Sequence, residues 1–219
     1  MQKTDLLVGL MLLVSIFLAI FYYPALPDQM ATHWGLKGYA DGFSDKLIGT
    51  FLFPAILILL TALLYVLPKI DPMHRNAKGF ESQYSRFIFV FSVFIVYIQY
   101  LSIQWNIGNR FDFTPLIPPA IGLLFISLGD LVSSAKQNWF IGIRTPWTLS
   151  NPRVWDKTHQ VTGMLFKISG AIAIISIFVP DLVFWAMIIP AIITSLFGVL
   201  YSYYLFSLEG KAKPKKKKK

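Results

Sequence analysis

Six long apolar segments dominate the sequence and constrain the fold more than any other feature. Four of them, at 6–27, 47–68, 87–109 and 182–208, contain no Asp, Glu, Lys or Arg. A helix needs about 20 consecutive apolar residues to cross a bilayer. With 55% hydrophobic and 14% charged residues, the chain also lacks the polar surface that a soluble domain of this length requires. We therefore predict an all-α polytopic membrane protein, a bundle of six transmembrane helices.

Each of the other two segments carries one charge, Asp130 in the fourth and Lys167 in the fifth. The fifth is short, but Asn151 followed by Pro152 is a favourable helix start, with Asn as N-cap and Pro in the first turn. We therefore extend this helix back to 152, so that its first turns project from the membrane. The chain is expected to form one integral membrane domain, 1–219, with spans at 6–24, 47–67, 86–106, 115–135, 152–179 and 182–207.

The distribution of basic residues predicts the orientation of the bundle. Alternate loops hold most of the Lys and Arg, whereas the other set holds only Lys37, Lys46 and Arg110. By the positive-inside rule, both termini should be cytosolic and the protein should lie in the plasma membrane. The first segment is longer than a signal-peptide core, so we expect it to remain as a helix.

A polybasic tail, 209–219, supplies most of the formal net charge of +9 through seven lysines between Lys211 and Lys219. Such a tail is attracted to anionic lipid headgroups. A solvated tail that only helps to fix topology is the alternative, and both interpretations remain open. A nucleic-acid partner is not expected, because no folded recognition module accompanies the lysines.

The loop at 24–46 is predicted to lie outside the cell. Two prolines end the first helix and several glycines follow, which favours a turn-rich cap. His33 and Asp41 could bind a cation or simply form a hydrogen-bonded pair. The candidate ligand-contact residues of this loop are Pro27, His33, Trp34, Gly38, Asp41 and Gly42.

The predicted cytosolic loop at 136–163, which contains NWFIGIRTPWTLSNPRVWDKTHQVTG, is polar and rich in tryptophan. Helical spacing places Trp155, Thr158, His159 and Thr162 on one face. Arg144 and Asp156 are expected to tie the loop to the bundle, and the tryptophans fit interfacial belts. The candidate motif residues are Asn138, Trp139, Gly142, Arg144, Thr145, Pro146, Trp147, Asn151, Trp155, Asp156, Thr158 and His159.

Asp130 and Lys167 lie at similar depth in the predicted topology. A charge inside the bilayer is costly, and pairing reduces that cost. The two could form an ion pair, or Arg144 could be the partner of Asp130. Alternatively, Lys167 could extend to the interface while Gly129 ends its helix and leaves Asp130 exposed.

Chemical motifs of enzymes are missing from the sequence. It has no cysteine and no metalloprotease, nucleophile-elbow, P-loop or dinucleotide-binding motif. His33, His74 and His159 are widely separated, which disfavours a histidine-rich metal site. We therefore expect no catalytic residues, no metal and no cofactor.

Two stretches resemble a known family. The stretch YPALPDQMATHWGLKGYADGFSDK is similar to an N-terminal module found in the SdpI family, and NWFIGIRTPWTLSN resembles that family's second signature. The resemblance implies a membrane immunity protein that protects a producing cell from its own secreted peptide toxin. It also implies two partners, the toxin outside and a transcriptional repressor held at the membrane inside.

Three functions are therefore weighed. The first is a non-enzymatic immunity or signalling protein, with the outer loop as the toxin contact. The second is a small peptide- or ion-linked transporter or channel that uses Asp130 and Lys167. The third is a membrane enzyme, for which Arg144, Asp156 and His159 form the one cluster of acid–base groups.

Overall fold

A computed structural model describes residues 3–35 and 38–212, with side chains described as far as residue 209. Helices make up most of it. The long helices are α1 (Lys3–Tyr22), α2 (Lys46–Ile70), α4 (Glu81–Asn106), α5 (Ile117–Ser134), α7 (Pro152–Ile175) and α8 (Val183–Ala212). The short elements are α3 (His74–Ala77), α6 (Pro146–Ser150), β1 (Gln29–Trp34), β2 (Ala40–Asp45) and 3₁₀ turns at Tyr23–Ala25, Ser176–Phe178 and Pro180–Leu182.

The six long helices are all long and apolar enough to cross a membrane. Helices α1, α2 and α4 pack on one another, as do α5, α7 and α8, and the contact of α4 with α5 joins these two halves. The six-helix prediction is confirmed, and the protein is a multi-pass membrane protein. One end of the bundle carries β1 and β2 and is called the hairpin end. The other carries the loop between α5 and α7 and is called the motif end.

Several helices extend beyond one end of the predicted spans, whereas α5 and α7 are shorter than predicted. Helix α1 begins at Lys3 rather than residue 6, α4 begins at Glu81 rather than 86, and α8 continues to Ala212 rather than 207. Backbone hydrogen bonding continues into polar residues, whereas hydropathy reports only the apolar part of a helix. The lysines at 213–219 of the predicted tail lie outside the described residues.

The loop at 24–46 contains a β-hairpin, which the expected turn-rich cap did not include. Strands β1 and β2 are antiparallel, with Gln29 opposite Asp45 and Trp34 opposite Ala40. Register shifts on either side of His33 bend the ribbon. The protein is therefore mainly α-helical, as predicted, but it also contains one small two-stranded sheet.

The hairpin is fixed to the helices by two buried contacts. Asn106, at the end of α4, accepts a hydrogen bond from the Ala31 N–H at 2.8 Å and donates to the Ala31 carbonyl at 3.0 Å. Its side-chain amide therefore pairs with β1 as a neighbouring strand would. Met30 is fully buried against Gly49, where an added Cβ would lie 2.8 Å from the Met30 Cβ. These contacts hold the hairpin in a defined position on the bundle.

Helices α5 and α7 make the most extensive interhelical contact in the described chain. Their antiparallel backbones meet at two glycine pairs, Gly122 with Gly170 and Gly129 with Gly163. A Cβ built on any of the four would lie 2.5–2.6 Å from a carbonyl oxygen of the facing glycine. Small residues at such crossings let helix backbones approach closely inside a membrane.

Candidate functional site

A large cavity opens at the hairpin end. Its volume is about 940 Å³. The wall is formed by the hairpin, by one residue each of α2 and α4, by the loop before α5 and the start of that helix, and by the beginning of α8. Because both halves of the bundle contribute, the cavity lies where they meet.

Four of the six predicted contact residues line this cavity: His33, Trp34, Gly38 and Asp41. His33 Nδ1 lies 2.5 Å from Asp41 Oδ1, and both side chains are largely exposed. The hydrogen-bonded interpretation of this pair therefore matches the structure. The other two predicted residues do not line the cavity. Pro27 is exposed elsewhere, and Gly42 packs behind His33.

Aromatic rings form one wall of the cavity. Trp34 packs on Phe113 with a centroid distance of 4.2 Å and meets Trp105 edge-on at 5.6 Å. The Arg110 guanidinium lies 3.4 Å from the Trp105 ring centroid, a cation–π contact. The Trp34 indole N–H is buried and has no hydrogen-bond partner among the described residues. Beyond this wall, a second cavity of about 610 Å³ lies between Tyr39 and Arg110.

Sequence reasoning missed the residues that complete the cavity. Asp112 comes from the loop before α5, Asp181 from the turn before α8, and Phe184 from α8 itself. No motif marks them, and they lie far apart in the sequence. The sequence offers only one weak indication of their role, which is that all three lie close to turns predicted to be outside the cell.

The motif end is a loop folded by its own polar side chains. Asn138 Oδ1 accepts hydrogen bonds from the N–H groups of Phe140 and Ile141, at 2.8 and 2.7 Å. Thr145 and Thr148 form a reciprocal capping box at the start of α6. Thr145 Oγ1 also lies 3.1 Å from Ser202 Oγ on α8. The residues of the predicted motif thus shape the loop and attach it to α8.

The predicted helical face on α7 is present and fully packed. Asn151 caps α7 by accepting from the N–H groups of Arg153 and Val154, as predicted. Buried Trp155 donates from Nε1 to the Ala135 carbonyl at 2.7 Å, which ties the base of the loop to α7. The interfacial-belt interpretation is therefore wrong for Trp155. The side chains of Thr158, His159 and Thr162 are also buried.

His159 bridges α7 and the motif loop. Its Nδ1 lies 2.8 Å from the Trp155 carbonyl oxygen, and its Nε2 accepts from the Ile143 N–H at 2.9 Å. A carbonyl oxygen can only accept, so Nδ1 carries the proton and the ring is neutral. Gly142, with φ of 98°, approaches so closely that a Cβ would collide with His159 Nε2. The imidazole therefore acts as a structural connector.

Arg144 and Asp156 do not make the expected tie between loop and bundle. Arg144 Nη1 donates to the Trp139 carbonyl at 2.7 Å, so it closes the loop on itself. Asp156 faces Lys136 at 3.9 Å on the surface. Trp147, which follows Pro146, packs against Tyr203 of α8 with a centroid distance of 5.0 Å. Trp139 remains 46% exposed, as a belt residue would be.

Asp71 is a motif-end residue that sequence reasoning missed. Its carboxylate is buried and accepts from the Met73 N–H at 2.6 Å and from the Trp139 N–H at 2.9 Å. It thereby joins the connection after α2 to the motif loop. The Asp-Pro pair in which it occurs was the available signal, since Asp before Pro favours a local turn.

Asp130 and Lys167 form an ion pair, with Nζ to Oδ1 at 2.6 Å. Helix α5 does not end at Gly129 but continues to Ser134, which keeps Asp130 in helical register with α7. Both side chains are about 40% exposed on the protein surface.

Among the described residues, no group of three or more His, Asp or Glu side chains is arranged to hold a metal ion.

The two ends of the bundle coincide with two family matches. Residues 134–202, which hold the motif end, match the SdpI/YfhL protein family. Residues 10–58, which hold the hairpin, match a domain of unknown function, DUF1648. The chain is also 24% identical over 208 residues to the immunity protein SdpI of Bacillus subtilis strain 168, covering 94% of this chain and 97% of that protein.

The motif end is thus similar to the SdpI/YfhL protein family, and the chain resembles an SdpI immunity protein along almost its whole length. No solved structure matches it. The cavity at the hairpin end includes residues from both matched regions. The hairpin and α2 come from the first, and the beginning of α8 comes from the second.

Proposed function

We propose that this SdpI-like protein is a non-enzymatic immunity protein that protects its cell from an extracellular, membrane-active peptide. The match to an immunity protein along almost the full length of both chains supports the assignment. The predicted orientation would present the hairpin end to the outside, where a secreted peptide arrives.

The cavity at the hairpin end is the observation that carries this proposal. Peptides and other small ligands bind in concave, mainly apolar sites with a few placed polar groups. This cavity has aromatic walls and an exposed pair, His33 and Asp41, at its rim. Four of the six predicted ligand-contact residues line it. Capture of the peptide there would keep it from the lipid bilayer.

The motif end would serve as the fixed base on the opposite side. Several of its side chains, such as those of Asn138 and His159, are used in hydrogen bonds within the loop or between the loop and α7. A rigid base of this kind suits a receptor that also passes a conformational signal to a cytosolic repressor. In this proposal the polybasic tail anchors that side to anionic headgroups.

The positions of Arg144, Asp156 and His159 support a non-enzymatic role. Arg144 is engaged with a loop carbonyl, Asp156 faces Lys136, and both ring nitrogens of His159 are used. The three residues that could have formed an acid–base cluster therefore have separate structural partners. General acid–base catalysis needs groups within hydrogen-bond reach of one reacting atom.

A transporter or channel is the second candidate, favoured by the Asp130–Lys167 ion pair within two predicted spans. Ionisable residues in a membrane often mark transport paths. This pair is closed on itself at 2.6 Å, beside a tight glycine crossing. We therefore assign it a structural role and rank transport below immunity.

A survival assay tests the proposal. Cells that express the protein, or carry an empty vector, are exposed to graded doses of membrane-active peptides while membrane potential is followed with a dye. The wild type should raise the lethal dose of at least one peptide, and the His33→Ala/Asp41→Ala variant should lose that protection at equal expression. An Asp28→Ala variant, changed outside the cavity, should keep it. Protection that survives removal of the His33–Asp41 pair would contradict the proposed site.

A further inference from the structure

We infer that the cavity at the hairpin end binds the cationic, amphipathic segment of a peptide, with a Lys or Arg side chain placed against Asp181 and Asp112. The apolar side of the segment would pack on aromatic residues of both halves of the bundle. This inference rests on the proposed function and specifies the chemistry of its ligand. It also adds recognition residues that the predicted contact loop does not contain.

The charge of the cavity points to a cationic ligand. Its described lining includes three carboxylates, Asp41, Asp112 and Asp181, and no Lys or Arg. The described cations at this end are used elsewhere: Arg110 lies on the Trp105 ring, and Lys46 lies over the Tyr23 ring at 4.8 Å. A mostly apolar cleft with charges of one sign concentrates ligands of the opposite sign.

The three carboxylates are not equivalent. Asp41 is engaged with His33, and Asp112 accepts a hydrogen bond from the Thr114 N–H at 2.7 Å. Asp181 has no hydrogen bond or ion pair to any described side chain. It lies in the turn before α8, near the positive end of that helix's macrodipole. Asp181 is therefore the strongest candidate to pair with a ligand cation.

The apolar surface explains why an amphipathic segment fits better than a simple cation. Phe53 of α2 and Phe184 and Met187 of α8 line the cavity together with Trp34 and Phe113. The volume of about 940 Å³ lies at the upper end of the range for ligand pockets, roughly 300–1,000 Å³. A site of this size and lining would bury several apolar side chains as well as one charged group.

The position of the cavity gives the ligand contacts with both halves. Phe53 belongs to the half formed by α1, α2 and α4, whereas Asp181 and Phe184 lie with α8 in the other half. A bound segment would add a bridge between the two halves at this end of the bundle, beside the α4–α5 contact. Binding should therefore stabilise the whole bundle and not only the hairpin.

Binding to the full-length protein in phosphatidylcholine nanodiscs tests the inference. The probes are an 18-residue amphipathic leucine/lysine peptide, a counterpart with glutamine in place of lysine, and a third with glutamate, each fluorescently labelled. Anisotropy is compared with that in empty nanodiscs. The variants are Asp181→Asn and Asp112→Asn, the latter retaining an acceptor for the Thr114 N–H. Asp28→Asn is the matched control at the same end of the bundle but outside the cavity.

The lysine peptide should bind the wild type about tenfold more tightly than the glutamine peptide, and Asp181→Asn should weaken its binding about fivefold. Asp28→Asn should have no effect. Asp181→Lys should reverse the preference and favour the glutamate peptide. Equal binding of the three peptides, equal effects of Asp28→Asn and Asp181→Asn, or no binding beyond empty nanodiscs would each overturn the inference. A phospholipid that occupies the cavity and is displaced by no peptide would also overturn it.

The two proposals fail in different ways. If cells are protected through His33 and Asp41 but binding does not depend on Asp181, the charge inference is wrong and the immunity proposal stands. If peptides bind in an Asp181-dependent manner but cells gain no protection, the site is correct and the immunity function is wrong.

Discussion

Gly129 in α5 and Gly163 in α7 hold these helices in direct backbone contact, because a Cβ on either would lie 2.5 Å from the other's carbonyl oxygen. The Asp130–Lys167 ion pair lies immediately beside this contact. The matching contact of Gly122 with Gly170 lies seven residues away on both helices. The two pairs define the crossing that positions the motif end.

Substitution at this crossing should destabilise the bundle. Gly129→Ala places a methyl group against backbone atoms that cannot rotate away, and such overpacking costs on the order of 1–3 kcal/mol. Thermal unfolding in one detergent should show a clear fall in Tm. Gly9→Ala is the control, because Gly9 is also helical but has nothing within 4 Å of a built Cβ. A Tm for Gly129→Ala as high as that of Gly9→Ala would contradict the close crossing.

Gly142 provides a second glycine test, with a closely matched control. Both Gly142 and Gly108 have positive φ, at 98° and 108°, so alanine at either position costs about 1–2 kcal/mol of backbone strain. Only at Gly142 would the new methyl group also collide with His159 and displace the Ile143 N–H from its acceptor. Gly142→Ala should therefore lower Tm more than Gly108→Ala. Equal losses of Tm would show that the His159 contact contributes nothing.

The sequence predicted helices well where local chemistry decides their ends. The Asn151–Pro152 start of α7 follows from capping rules. The buried face of α7 followed from helical spacing. The sequence does not predict the hairpin, because its glycines favour turns. In addition, the pairing of β1 with β2 is irregular, with register shifts on either side of His33.

The cavity could not be predicted in the same way. Asp41, Asp112 and Asp181 are brought together by packing of distant segments, which no local pattern encodes. The glycine crossing was in principle visible, since Gly122 and Gly129 have the same seven-residue spacing as Gly163 and Gly170. Arg144 and Asp156 failed as a predicted tie because nearby backbone and Lys136 supply their partners.

His159 should be neutral, with its proton on Nδ1, because Nε2 accepts from the Ile143 N–H. Nitrogen-15 NMR of the labelled protein would identify this tautomer directly. The ring centroids of His159 and Trp155 lie 3.9 Å apart. The His159→Phe variant keeps an aromatic ring against Trp155 but loses both hydrogen bonds of the imidazole. Leaving the partly buried Ile143 N–H unpaired should cost on the order of 1–3 kcal/mol. A spectrum with the proton on Nε2, or an unchanged Tm for His159→Phe, would refute this account.

The Asp130–Lys167 pair should show coupling in a double-mutant cycle. Lys167→Met alone leaves the Asp130 carboxylate unpaired in a predicted span. On insertion scales, the free-energy cost of such a charge is about 2.5–3.5 kcal/mol at the bilayer centre and less near an interface. Adding Asp130→Asn removes that charge, so the double variant should be more stable than Lys167→Met. Tm and the fraction inserted in membranes would report it. Independent, additive losses would mean that the two charges do not interact.

The most direct test of the central claim is to block the cavity from outside the cell. The chain has no cysteine, so Thr114→Cys, at the cavity wall, and Asp28→Cys, outside it, can each be labelled alone on intact cells with a bulky, membrane-impermeant thiol reagent. We predict that both cysteines are labelled but that only the label at Thr114→Cys abolishes protection against the peptide. Protection that survives labelling at Thr114→Cys, or a failure of the reagent to reach either site from outside, would contradict the account.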